Sequence, residues 1–160
     1  GHMRQKNTPR RSWLSFFREL RLGFQMKKAW PCFDEPFRRR CTWLLDHLDR
    51  YIGEPAYPSL VHGDLWSGNV MAGPDGDIVL IDPAAYVGDR EADLAMTELF
   101  AGFPEEFYRA YEEAAPLSAG YVERRALYQL YHLLNHLNMF GTAYLASVTR
   151  IIDHLTPRKG

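Results

Sequence analysis

Apolar positions recur along the chain at two spacings, one near the ~3.6 residues of a helix and one suited to short strands, and the changes between them divide it. Trp13, Phe16, Phe17, Leu20 and Phe24 fall at helical spacing, with Ser12 placed to cap the start. A second helix is predicted after Pro36, with Phe37, Cys41, Leu44, Leu45, Leu48 and Ile52 on its inner face and Gly53 near its end. Then the pattern changes. Val70-Met71-Ala72 and Ile78-Val79-Leu80-Ile81 flank Gly73-Pro74-Asp75-Gly76-Asp77, a run of turn formers, and the three together predict a hairpin. Beyond it helices are predicted over about 90–101, 104–114 and 119–138. In the last of these, Leu127, Leu130, Leu134 and Leu137 recur among Tyr128, Tyr131, His132 and His136. These stripes read as core, and the fold class is α+β, mostly helical, with a small β-hairpin.

The bulk properties set bounds. A chain of 160 residues is about one domain and can bury a real core. With 46% hydrophobic, 14% aromatic and 24% charged residues it belongs among globular proteins. A formal net charge of −1 supplies no field that would recruit nucleic acid or an anionic membrane. No apolar run approaches the ~20 residues needed to span a bilayer. Cys32 and Cys41 are too few for a disulfide framework and are not spaced as a metal pair, which suggests a reducing, cytoplasmic setting. Gly1-His2-Met3 reads as the remnant of a cleaved expression tag. Residues 4–11, with Arg4, Lys6, Arg10 and Arg11, read as a flexible leader, so that 1–11 is set apart from a domain over 12–156. There is no internal repeat.

The chemistry is concentrated between the second helix and the hairpin. His62-Gly63-Asp64-Leu65-Trp66-Ser67-Gly68-Asn69 is a polar octet between the apolar runs Ser59-Leu60-Val61 and Val70-Met71-Ala72, so it belongs on a supported loop. Asp64 and Asn69 are five apart, and Asp82 follows the second strand in Ile81-Asp82-Pro83. Phosphoryl transfer needs such a set: a carboxylate to take or orient the proton of an attacking hydroxyl, and an amide oxygen and a second carboxylate to hold magnesium against phosphates. Protein kinases carry the first two on H-R-D-x-x-x-x-N and the third on D-F-G. The hairpin brings Asn69 and Asp82 to one open end, so they can converge on one cation.

The octet, Ile81-Asp82-Pro83-Ala84, the block Tyr86-Val87-Gly88-Asp89-Arg90-Glu91-Ala92-Asp93-Leu94-Ala95-Met96 and the stretch Leu127–His136 together resemble the fructosamine kinase, or ketosamine-3-kinase, family. That family shares a kinase-like fold with aminoglycoside and choline phosphotransferases. The similarity runs from about Trp13 to about Leu145. It implies the C-terminal lobe of a protein-kinase-like fold and ATP-dependent phosphorylation of the 3-hydroxyl of a ketosamine, small or protein-linked. Asp64 is then the catalytic base, with Asn69 and Asp82 as magnesium ligands. No Gly-rich loop precedes the octet, and Lys6, Lys27 and Lys28 have no strand context. The ATP-gripping N-terminal lobe is therefore expected to be absent and the chain alone inactive. The alternatives are a lobe of an aminoglycoside- or choline-type phosphotransferase and a non-catalytic binding module.

Other residues are assigned more loosely. His62 is expected to bond to backbone and hold the loop. Trp66 either stacks on the sugar or its amine substituent, or packs on the late helix. Asp89 is expected to cap the helix that follows it, and Asp93 to accept hydrogen bonds from the backbone of the catalytic loop. His132, Asn135 and His136 share a helical face that either lines a substrate pocket or sits satisfied in the core. Glu19 and Glu98 form no carboxylate pair for hydrolysis. The absence of G-x-S-x-G and of a helical H-E-x-x-H argues against serine hydrolases and zinc peptidases.

Overall fold

The structure, a computed structural model, describes residues 5–157; Gly1-His2-Met3 and Arg4 lie outside them. The first stripe becomes one continuous helical rod. Ser12 Oγ accepts the Ser15 N–H at 3.1 Å and starts α1 (Trp13–Phe16), which runs into a π-helical stretch (Phe17–Leu22) and then α2 (Gly23–Ala29). A π turn holds one more residue than an α turn. Here it lets Leu20, Arg21 and Leu22 all be buried.

Helix α3 (Glu35–Asp46) is capped by Asp34, whose carboxylate accepts the Phe37 N–H at 2.9 Å. It stops well before Gly53, contrary to the apolar spacing. At His47 the backbone leaves the helical region, and its Nδ1 lies 2.8 Å from the Trp43 carbonyl. Leu48 and Ile52 are buried all the same, from the short turn that follows.

The strands form two separate two-stranded antiparallel sheets. The predicted hairpin is β2 (Val70–Ala72) against β3 (Ile78–Leu80), with Met71 opposite Val79. The second pair was not predicted: β1 (Ser59–Val61) against β4 (Tyr86–Gly88), with Leu60 opposite Val87. Tertiary docking fixes β4, since a Cβ on Gly88 would lie 2.4 Å from the Trp13 ring.

The remaining helices are α4 (Glu91–Thr97), α5 (Glu105–Ala114), α6 (Tyr121–Phe140) and α7 (Leu145–Leu155). The sequence reading drew α4 too long and did not draw α7. Arg40 holds α7 to α3, donating to Thr156 Oγ1 at 2.9 Å and pairing with Asp153. Helix α6 is the spine, packed against α2, α4 and α7. Its Leu127, Leu130, Leu134 and Leu137 are buried together, each burial contributing about 1.5–3 kcal/mol. The apolar strand residues Leu60, Met71, Ile78, Leu80 and Val87 are exposed.

Candidate active site

Asp64, Asn69 and Asp82 line one cavity of about 530 Å³, bounded also by Gln5, Phe24, Gln25 and Trp66. Short contacts on either side of the hairpin bring them together. The Ile81 N–H donates to the Asn69 carbonyl at 3.0 Å, extending the β2–β3 ladder one step beyond Leu80. His62 Nε2 lies 2.9 Å from the Ile81 carbonyl, and the Asp64 N–H donates to His62 Nδ1 at 3.3 Å. These bonds select one tautomer, with the proton on Nε2. The imidazole thus joins the backbone of Asp64 to the residue before Asp82.

The three side chains differ in how they are held. Asn69 is buried; its Nδ2 donates to the Asp64 carbonyl at 2.9 Å and to Asp64 Oδ2 at 3.2 Å. That leaves its amide oxygen as the atom available to a cation. Asp82 is exposed and adopts a left-handed backbone, φ +51°. Aspartate tolerates that region better than most residues, though at a cost of about 1–2 kcal/mol, and such strain is concentrated at functional sites. Gly63, at φ +82°, sits so close to Ala84 that a Cβ would lie 2.2 Å from its carbonyl oxygen.

Asp93 reaches the loop from α4. Its Oδ2 accepts the His62 N–H at 2.6 Å and its Oδ1 the Gly63 N–H at 2.8 Å. Burial raises its pKa, and the two backbone donors oppose the rise. Asp89 lies farther off, in the core. It accepts the Glu91 N–H at 2.9 Å and the Tyr128 hydroxyl at 2.7 Å, while Trp13 Nε1 donates to that hydroxyl at 3.1 Å. Burial raises the pKa of Asp89 too.

The substrate-facing candidates divide. Trp66 borders the cavity, its ring lying over Gly68 and edge-on to Phe100 with centroids 6.5 Å apart. His132 and Asn135 line the cavity, and the Asn135 amide oxygen accepts from Gln25 at 3.1 Å. His132 is 3% exposed; burial first, then the charges of His136 and Arg21, push its pKa down to about 3, so it is neutral. His136 does not border the cavity. Its Nδ1 lies 2.8 Å from the His132 carbonyl, and its ring packs among Phe100, Phe140 and Tyr144. Of the two histidines, only His132 is brought to the cavity.

Sequence reasoning missed the part of the cavity wall formed by Gln5 and Lys6, and the segment that holds it. Read as a flexible leader, residues 5–11 carry no regular secondary structure, yet Gln5 Nε2 donates to the Ala84 carbonyl at 2.8 Å and Asn7 Nδ2 to the Ala85 carbonyl at 3.2 Å. Arg21 was missed as well, because a charge within an apolar helical stripe ordinarily faces solvent. It is fully buried.

Comparison with known proteins gives the family of the chain. The fructosamine kinase family model matches residues 1–158, and the chain belongs to that family. It is 45% identical over 161 residues to a protein named as a ketoamine kinase in Vibrio vulnificus, covering 97% of this chain and 53% of that one. It is 41% identical over 155 residues to a chloroplastic protein-ribulosamine 3-kinase of Arabidopsis thaliana, covering 96% of this chain and 47% of that one. The mostly helical fold is shared with a crystal structure assigned as a fructosamine-3-kinase from Thermobifida fusca, at a TM-score of 0.87 and 40% identity, covering 97% and 55% of the two chains. The chain spans about half the length of the relatives it matches. Among the described residues no helix is long and apolar enough to cross a membrane.

Proposed function

We propose that this chain is the catalytic C-terminal lobe of a kinase that phosphorylates the 3-hydroxyl of ketosamines, using ATP and magnesium. The observation that carries the reading is the shared cavity of Asp64, Asn69 and Asp82, held from both sides through His62 and Ile81. Asp64 would take the proton of the sugar hydroxyl as its oxygen attacks the γ-phosphorus. The new O–P bond forms while the bond to the β-phosphate bridging oxygen breaks, and ADP leaves with that electron pair.

The donor set suits magnesium. A carboxylate and an amide oxygen are hard ligands, and magnesium is ordinarily held by few protein groups together with substrate phosphates. Among the described residues no cluster of three or more His, Cys, Asp or Glu could serve as an all-protein cage. Asn69 and Asp82 would hold the ion, which when bound neutralises charge on the phosphates. On the substrate side, Trp66 offers a ring face to the sugar or its amine. Neutral His132 and Asn135 offer hydrogen bonds to its hydroxyls, whereas His136 is left out of contact.

The span of about half of each matched relative supports the lobe reading, and on it the isolated chain does not turn over ATP. The two free cysteines fit a reducing compartment such as the cytoplasm. Calorimetry tests the site. The chain should bind a 1-amino-1-deoxyfructose derivative, and Trp66→Ala should weaken that binding at least tenfold. Wild-type affinity in the variant would remove Trp66 from the substrate contact.

A further inference from the structure

Arg21 is a buried cation with no carboxylate partner among the described residues. Its Nε has no hydrogen-bond partner. Its guanidinium carbon lies 4.1 Å from the Tyr86 ring centroid and 4.6 Å from that of Phe16. Aromatic faces offset only part of the cost of burying such a charge, and a methionine of similar length would fill the space more cheaply. What the cation contributes lies at its tip. Nη1 donates to the Lys6 carbonyl at 2.8 Å, and Nη2 to Asn7 Oδ1 at 2.7 Å.

From there the bonds lead to the site. Asn7 Nδ2 donates to the Ala85 carbonyl, Gln5 Nε2 to the Ala84 carbonyl, and the Ala84 N–H to the His62 carbonyl at 2.8 Å. Ala84 is two residues after Asp82, whose left-handed backbone needs outside support to persist. On the other side, Ile81 is already fixed by His62 and Asn69.

We infer that residues 5–7 form a strap, clamped to the core by Arg21, and that Gln5, Asn7 and Arg21 are positioning residues that hold the backbone after Asp82 in its cation-facing form. The inference rests on the reading of Asp82 as a magnesium ligand. It makes the segment before the first helix a working part of the site, and gives the charge buried in the π-helical stretch of that rod its hydrogen-bond partners in the strap.

The experiment uses the 160-residue chain with Mn²⁺ and ATP, following bound Mn²⁺ by electron paramagnetic resonance, amide hydrogen exchange at Ala84, and thermal unfolding. Asp82→Asn is the control and should abolish Mn²⁺ binding. Gln5→Ala and Asn7→Ala should weaken it about 10–100-fold, the range for partners that orient metal ligands, and should speed Ala84 exchange at least tenfold. Asn7→Asp separates positioning from stability. It keeps the acceptor for Arg21 and adds an ion pair, so the unfolding midpoint should not fall, yet it loses the donor to Ala85 and should still weaken Mn²⁺. Arg21→Lys should fall between wild type and Arg21→Met. If Asp82→Asn binds Mn²⁺ like wild type, or wild type binds none, the metal-site reading fails; wild-type Ala84 exchange in the strap variants overturns the strap itself. If Asp82→Asn loses the ion while Gln5→Ala, Asn7→Ala and Asn7→Asp keep wild-type affinity, the strap is overturned and the metal site stands.

Discussion

His62 and Ile81 are joined across the site: the imidazole Nε2 of one lies 2.9 Å from the carbonyl oxygen of the other. The bond crosses from the loop that carries Asp64 to the strand end that carries Asp82. Because Nδ1 of the same ring accepts the Asp64 N–H, one side chain sets the position of both carboxylates. His62→Ala should leave the helical core intact and weaken Mn²⁺ binding about 10–100-fold, as loss of an outer partner of a metal site ordinarily does. Paramagnetic titration checks it, and His62→Gln should recover part of the loss.

Gly63 is the second support. Its φ of +82° and the 2.2 Å approach of a virtual Cβ to the Ala84 oxygen leave no room for a side chain. Gly63→Ala should cost at least about 1–2 kcal/mol from the left-handed backbone alone, and more from the displaced backbone. Chemical denaturation measures the loss, and a variant as stable as wild type would mean that the contact with Ala84 is not made.

A pH dependence follows from Asp89. Burial raises its folded-state pKa above the ordinary 3.8, so its protonated form is favoured by folding. A raised pKa gives stability that is present below 3.8 and lost as pH climbs through the folded value. Asp89→Asn cannot ionise. The midpoint of the variant relative to wild type should therefore rise as pH is taken upward from below 3.8, whatever the fixed offset from its changed hydrogen bonds. A difference that stays flat, or moves the other way, contradicts this.

The core offers a simpler check. Leu134 is fully buried in the middle of α6. Leu134→Ala should lower stability by about 2–5 kcal/mol, read from denaturant midpoints.

Much of this was legible in the sequence, for identifiable reasons. The hairpin announces itself because five turn formers separate an apolar triplet from an apolar run of four, and the octet because polar residues stand between two apolar runs, although Leu60 and Met71 in those runs prove exposed. The β1–β4 pair left no such mark. Its three-residue strands are far apart in sequence, and docking of Gly88 on Trp13 decides their pairing. Helix α3 was overdrawn because Leu44, Leu48 and Ile52 keep helical spacing after the helix has ended. The spacing of Val148, Ile152 and Leu155 did carry a signal for α7. His132 and His136 share a stripe, but the cavity wall is narrow enough to take His132 and Asn135 and leave His136 to Phe100. Arg21 was not legible as a buried residue: its spacing from Phe17 and Phe24 puts it on the apolar face, but a charge there is ordinarily expected to reach solvent.

The central claim is that Asp64 serves as the base for phosphoryl transfer to a ketosamine. The most direct measurement is phosphate transfer from ATP to a 1-amino-1-deoxyfructose derivative by the complete parent protein, wild type against Asp64→Asn, with the phosphorylated carbon located by NMR. Phosphate on the 3-hydroxyl and a rate lowered about 10²–10⁴-fold in the variant are the expected result. A variant turning over at a rate close to wild type, or a product phosphorylated elsewhere on the sugar, would contradict the account.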